Sequence, residues 1–299
     1  MSFRLSDPQG YASPAYFAAL GQAPIALGRT GGNLVQRTIG GSDLTDLAGV
    51  WPLFSCEDWA EFGPAVADLP TGPVTLTLVP SPFCPLTPTE LASIFPICRP
   101  LHDHWVIALT APAQLSKHHR RKLRQTRVPT IKAGPASEDL AEGWAQLYAH
   151  LIEKKHIQDA RAFSVQALAA QLVVPGAHVV TAWAEDELLG VDLYYLDRGT
   201  AFAHLSAYAP QGYSASVSYP MMAAAMEYFA PIADAINLGG APGGASGPGI
   251  AHFKSGWTER TLSSFLCGKI LDPAAYAVLA PEARAEGWFP AYRAGEYRS

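Results

Sequence analysis

A lysine follows a phenylalanine directly in the stretch Ile250-Ala251-His252-Phe253-Lys254-Ser255-Gly256-Trp257, and six glycines and two prolines fall within the eleven residues 239–249. A short apolar edge, Ile236 and Leu238, thus runs into a loop with little side chain, of the kind that brings backbone close to something else. Ile250, Phe253 and Trp257 recur at helical spacing, so 249–256 reads as a short helix or turn that buries Phe253 and fixes the direction of Lys254. An ammonium so placed can donate to a developing oxyanion or hold a carrier phosphate.

A second set lies on two expected strands. Over 200–208, Phe202, His204, Ser206 and Tyr208 share one face. On the neighbouring strand Gly190, Asp192 and Tyr194 share a face, so Asp192 and His204 are expected to meet, the carboxylate holding the imidazole in the tautomer that accepts a proton. Tyr208 extends that polar-aromatic face as a further catalytic candidate. A lone strand histidine equally reads as a satisfied core residue, and that alternative stays open.

A third set is electrostatic. Residues 115–127 carry Lys117, Arg120, Arg121, Lys122, Arg124 and Arg127, six of the chain's 21 basic residues, with no acid among them. Ser116 can cap the segment as a helix. Arg120, Arg124 and Arg127 then lie along one side and Lys117 with Arg121 along another, while Leu115, His119 and Lys122-Leu123 form a docking edge. Such a helix is either a solvated connector or a polyanion site for a nucleotide-linked substrate, a cofactor or tRNA.

Asn237, Leu238, Gly239, Gly240, Gly249, Ile250, Phe253, Lys254, Gly256 and Trp257 follow in order the pattern (D/N)-(L/F)-G-G … G-(L/I)-x-x-F-K-x-G-(W/F), and in this the chain resembles the Fem-like branch of the GNAT acyltransferases. The basic segment resembles the one that opens the second domain in that branch. The resemblance implies tandem GNAT-like domains and a lysine at the acyl or aminoacyl donor, here Lys254. It also implies an anion loop of the form (Q/R)-x-x-G-x-(G/A) before a helix, where backbone N–H groups and the helix dipole favour the carrier's pyrophosphate. Gln211, Gly212, Tyr213, Ser214, Ala215 and Ser216 occupy that place. Serine replaces glycine at the fourth position and the small residue at the sixth, which puts coenzyme A binding in doubt.

The elements that must position these residues are legible as periodic patterns. Helices are expected over 13–20, 56–69, 88–95, 138–155, 164–173 and 215–229, and strands over 33–39, 74–79, 104–109, 178–184, 188–196, 200–207, 235–238 and 261–270. The short polar turns at 185–187 and 197–199 make an antiparallel meander of three strands. The order of helices and strands from 115 onward resembles one GNAT domain. The expected fold is therefore α/β (α+β), a tandem GNAT-like pair of mixed, mostly antiparallel sheets flanked by helices. Its divisions are expected at 1–114 (degenerate domain), 115–280 (acyltransferase domain) and 281–299 (tail). That tail, with Trp288, Phe289, Tyr292 and Tyr297, is too aromatic for a free linker.

At 299 residues, with 49% hydrophobic and 16% charged residues, the chain can bury a sizeable core, and its low charge hints at a sticky surface or an oligomer. A net charge of −5 argues against nucleic-acid affinity over the whole surface. Cys56, Cys84, Cys98 and Cys267 form no C-x-x-C pair, so reduced thiols and no metal site are expected. No leading signal segment and no apolar run near ~20 residues is read, which places the expectation in the cytoplasm without a membrane span. Without a catalytic cysteine, an H-E-x-x-H or a Walker-type lysine, direct attack by an acceptor amine is the economical mechanism. The expected activity is transfer of an acyl or aminoacyl group to a small-molecule or cell-envelope precursor amine, with acyl-CoA as co-substrate and no permanently bound cofactor. The alternatives are an aminoacyl-tRNA donor, with the basic helix as RNA contact, and a non-catalytic binding protein on the same scaffold.

Overall fold

A computed structural model of the chain describes residues 8–112, 115–126, 130–157, 162–241, 247–282 and 287–294. The first elements are α1 (Pro14–Ala19), β1 (Ile25–Ala26), β2 (Asn33–Thr38), β3 (Thr45–Gly49), α2 (Phe62–Ala67), β4 (Thr75–Leu78), α3 (Pro88–Ile94) and β5 (Ile97–Ala108). Next come α4 (Lys117–Gln125), β6 (Thr130–Pro135), α5 (Ala141–Lys155), α6 (Val165–Leu172), β7 (Ala177–Ala184), β8 (Glu187–Asp197) and β9 (Thr200–Tyr208). The last are α7 (Pro210–Ala215), α8 (Ser218–Phe229), β10 (Ala235–Asn237), α9 (Gly247–Ser255), β11 (Thr261–Ile270) and α10 (Pro273–Leu279).

Two compact units result: Met1–Leu20 with Asp103–Leu262, and Gly21–His102 with Ser263–Arg298. They interleave in sequence, in place of the expected succession 1–114, 115–280, 281–299. The reason lies in a few anchoring side chains. Tyr11 and Tyr16 set their rings edge-on against Tyr195, which ties the N-terminal segment to the first unit. Arg293 reaches buried Asp46, which ties the C-terminal segment to the second. Tyr297 lies outside the described residues.

In the first unit the strand order is β5-β10-β9-β8-β7-β6. The meander β7-β8-β9 is antiparallel, and β10 runs parallel to β9, pairing Ala235 with Thr200. Arg198 (φ 43°) and Gly199 (φ 73°) both take positive φ between β8 and β9, the backbone that lets a two-residue hairpin follow the strand twist. β6 was not expected; it pairs along its length with β7. One face of the sheet carries a core in which Val217, Met221, Ala225 and Phe229 of the α8 region pack on Val180, Tyr194, Ala201 and Ile236. The spacing of the α8 residues, four apart in each step, is that of a helix face.

In the second unit the order is β1-β2-β3-β4-β11, antiparallel except for β3 with β4. Its core joins Leu34, Leu47 and Leu76 of the strands to Phe62, Leu91 and Phe95 from α2, α3 and the residue that caps α3. The expected helix over 56–69 forms only as α2, with Gly63 and Pro64 in its first turn, where a missing N–H does no harm. Each unit is thus a mixed, mostly antiparallel sheet with helices, the expected class. Among the described residues no helix is long and apolar enough to cross a membrane.

Candidate functional site

Strand β10 delivers Asn237 to the start of the glycine-rich loop, and the Asn237 side chain then shapes the turn. Its Oδ1 accepts from Gly239 N–H at 2.8 Å and from His104 Nδ1–H at 3.2 Å, and Gly239 takes φ 73°. Residues 242–246 of the loop lie outside the described residues. Helix α9 brings Lys254 back to this turn, where its ammonium donates to the Gly240 carbonyl. Burial pushes the Lys254 pKa down to about 8, because a desolvated ammonium is disfavoured. Among the described residues no carboxylate pairs with it.

Three of the sequence-selected segments are joined by direct bonds. Ser116 caps α4 by accepting from His119 N–H at 3.2 Å, and the buried His119 ring donates from Nε2 to the Phe253 carbonyl at 2.8 Å. Burial is the main cause that lowers the His119 pKa. The ring sits so close to Gly256 that any Cβ there would collide with it, which gives the glycine of the Phe-Lys-x-Gly-Trp stretch a packing reason. His119, Tyr219, Phe253 and Trp257 close into an aromatic cluster, with ring centroids 5.0 Å apart for His119–Trp257 and 5.3 Å for Tyr219–Phe253. Lys122 then donates to Ser216 Oγ at 3.3 Å, which joins α4 to the 211–216 segment. The opposite side of α4 presents Lys117, Arg120, Arg121 and Arg124 to solvent. Arg127 lies outside the described residues.

The segment expected to be an open anion loop is largely a turn of helix. Gln211, Gly212, Tyr213, Ser214 and Ala215 belong to α7, and Ser216 ends it in the left-handed region at φ 58°. Ser216 N–H bonds to Tyr213 O, Val217 N–H to Gly212 O and Tyr219 N–H to Ser216 O, so three of the donors available to a pyrophosphate here are already engaged. Ser214 Oγ donates to Pro210 O at 3.0 Å, a further local bond that glycine at this position would not supply. Gly212 has its own reason, since a Cβ there would collide with the Leu189 carbonyl. Tyr213 projects outward with the Lys154 ammonium 3.5 Å from its ring centroid.

Asp192 and His204 do not meet. The β8–β9 register shifts between Leu193 and Tyr194: Asp192 faces Ser206 and Leu193 faces Leu205, but Tyr194 faces Ala203. His204 is therefore the extra residue of a bulge, and bulges turn side chains across a sheet. Its Nδ1 accepts from Tyr11 Oη at 3.1 Å and its Nε2 donates to Gln171 Oε1 at 2.8 Å. Burial drives its pKa down to about 3. With both nitrogens engaged the ring has none left to take a proton, so the base expected at His204 is a core histidine. Asp192 instead accepts from Tyr208 Oη at 2.6 Å, and burial lifts its pKa to about 6. Gly190 opposite makes this possible, because a Cβ there would strike the Tyr208 ring. Neither Asn237 nor Tyr219 stood out as a site residue from sequence. The Asn237 position in the matched pattern was the available signal; Tyr219 gave none.

Among the described residues no group of three or more His, Cys, Asp or Glu is placed to hold a metal ion. No family model and no curated protein matches the chain. Solved structures do. FemX aligns over 91% of this chain and 95% of its own with a TM-score of 0.65 at 11% identity. The C-terminal domain assigned to a lysylphosphatidylglycerol synthetase of Agrobacterium fabrum aligns over 92% and 91%, at TM-score 0.59 and 12% identity. L-PGS from Bacillus licheniformis aligns over 87% and 93%, at TM-score 0.54 and 12% identity. At such identities the likeness is one of fold, and FemX, among the structures that share it, bears the name of the Fem-like branch that the glycine-rich and Phe-Lys patterns resemble.

Proposed function

We propose that the first unit transfers an aminoacyl group, or a related acyl group, from a polyanionic RNA carrier to an amine. The observation that carries this reading is the convergence of the basic helix α4, the 211–216 segment and the Lys254 helix through the Lys122–Ser216 and His119–Phe253 bonds. An exposed row of guanidinium and ammonium groups suits an extended phosphate backbone, and a half-buried ammonium on the helix that α4 docks against suits a carbonyl oxygen gaining charge. The engaged N–H groups of 216, 217 and 219 favour RNA over acyl-CoA as donor, since a pyrophosphate would have to displace bonds already made. The fold neighbours are compatible: a lysylphosphatidylglycerol synthetase, by its name, joins an amino acid to a lipid headgroup.

In this reading the amine nitrogen attacks the carrier's ester carbonyl, a C–N bond forms and the C–O bond to the ribose breaks. Lys254 stabilises the oxyanion. Tyr208, whose phenol proton already points at Asp192, takes the amine proton on its oxygen while passing its own to the carboxylate, and the leaving alkoxide is reprotonated in the reverse sense. The test compares binding of charged tRNA and of acyl-CoA across a salt series, followed by transfer to a panel of amines. Charged tRNA should bind with a steep salt dependence, and Arg120→Ala/Arg124→Ala should reduce the log–log slope by roughly 1 to 2. Tight binding of acyl-CoA alone would move the donor to coenzyme A, and binding of neither would leave a scaffold protein.

A further inference from the structure

At the start of the 210–216 segment the first unit holds a cavity of about 630 Å³. That volume falls within the roughly 300–1,000 Å³ of small-molecule sites. Its wall is apolar, with Leu147 from α5, Leu188 from β8 and the indole of Trp183 from β7. Its rim is acidic: Asp139 precedes α5, and Asp186 and Glu187 lie at the β7–β8 turn. Among the described residues no lysine or arginine lines it. The same indole carries the Lys132 ammonium 5.2 Å from its ring centroid, an instance of the cation–aromatic contact such a wall offers.

We infer that this cavity binds the acceptor, and that the acceptor is an aliphatic diamine. The inference rests on the transfer reading above, and charge sorting leads to it. The carrier is a polyanion and meets α4; the cavity rim repels polyanions and attracts cations. An ammonium held by carboxylates is kept protonated and cannot attack, so one charged end is anchored at the rim while a second amine is free to react. The methylene chain between them suits the leucine wall. Gln211 lines the cavity and Ser216, five residues on, holds Lys122, so the 211–216 segment connects the cavity to helix α4.

Cadaverine is the probe, titrated into the purified full-length chain by calorimetry, with pentylamine and glutarate as controls and no carrier present. Cadaverine should bind, pentylamine about tenfold more weakly, and glutarate not at all. Asp186→Asn/Glu187→Gln should weaken cadaverine by about tenfold or more with an unchanged melting temperature. Both positions are exposed; if the double variant nonetheless folds poorly, Asp139→Asn on the same rim gives the same readout. No cadaverine binding up to about 10 mM, or equal affinity in the variants, overturns the inference. Because no RNA is added, the result stands apart from the transfer reading: diamine binding without transfer to any amine counts against the latter, and transfer with no preference for a dication counts against the former.

Discussion

Lys254 combines three properties that seldom coincide at a surface lysine: it is half-buried, it lacks a carboxylate partner among the described residues, and it follows a loop shaped by Asn237 and Gly239. A lysine whose pKa falls from 10.5 to about 8 on folding destabilises the fold at neutral pH, by on the order of 3 kcal/mol. The sign follows from proton binding. Between pH 8 and 10.5 the unfolded chain holds the proton and the folded one does not, so stability attributable to this group rises through that window. Lys254→Met should therefore melt close to the parent at pH 7 despite leaving the Gly240 carbonyl without its donor. The melting temperature of the parent should gain on the variant as pH is raised to about 10, which paired thermal scans will read. Turnover should fall by about 10²-fold or more with much less change in substrate affinity. If Asp192 takes the proton and Lys254 acts as its ammonium, kcat/KM of the parent follows a bell with limbs near about 6 and about 8, and the alkaline limb is lost in the variant. A variant that loses stability but keeps its turnover per folded molecule would return Lys254 to the fold.

Helix α4 acts as an element because one edge docks and the other stays wet. His119 is buried with Leu115 and Leu123 packed on the core, while four cationic side chains face solvent. Gly256 sets how closely this helix approaches α9, since the His119 ring occupies the space where a Cβ would stand. Gly256→Ala should push the helices apart, destabilise by about 1–3 kcal/mol and weaken RNA binding although no charge has changed. Denaturant curves and a filter-binding series on one preparation test this; RNA affinity equal to the parent's would mean that the spacing of α4 and α9 does not matter to binding. Elements of this kind were legible in the sequence because their signals are local: a serine cap, a basic stripe, a Gly-Trp pair and two-residue turns in the meander. The His204 bulge was not, because register depends on what the partner strand packs against, and one inserted residue sends a side chain to the other face. β6 escaped for a related reason: it contains Gly134 and Pro135, weak strand formers that pairing with β7 overrides.

At the scale of the whole molecule, composition and periodicity led to the class of fold but not to the way its units are threaded. Threading turns on single long-range contacts, and the C-terminal segment is the clearest case. Arg293 places Nε 2.6 Å from Asp46 Oδ2 and Nη2 3.0 Å from Oδ1, and it donates to the Thr38 carbonyl at 3.0 Å. Arg37 adds Nε at 3.1 Å, and Tyr292 Oη donates to Asp46 Oδ2 at 3.1 Å. Asp46 is fully buried, so removing its charge leaves the nearly buried Arg293 guanidinium uncompensated. Such a loss costs about 3–5 kcal/mol, whereas replacing both partners with apolar residues costs much less. Asp46→Asn is therefore expected to destabilise the second unit by about that amount. Asp46→Leu/Arg293→Leu should recover part of the loss. Urea denaturation followed by hydrogen exchange distinguishes the units: early exchange should appear in β2 and β3, whose backbone the clasp holds, while the meander of the first unit keeps its protection. Transfer per folded molecule should stay at the parent level, because every candidate site residue belongs to the first unit. Uniform loss of protection across both units in Asp46→Asn would show that they unfold as one, and would remove the basis for treating the clasp as a feature of the second unit alone.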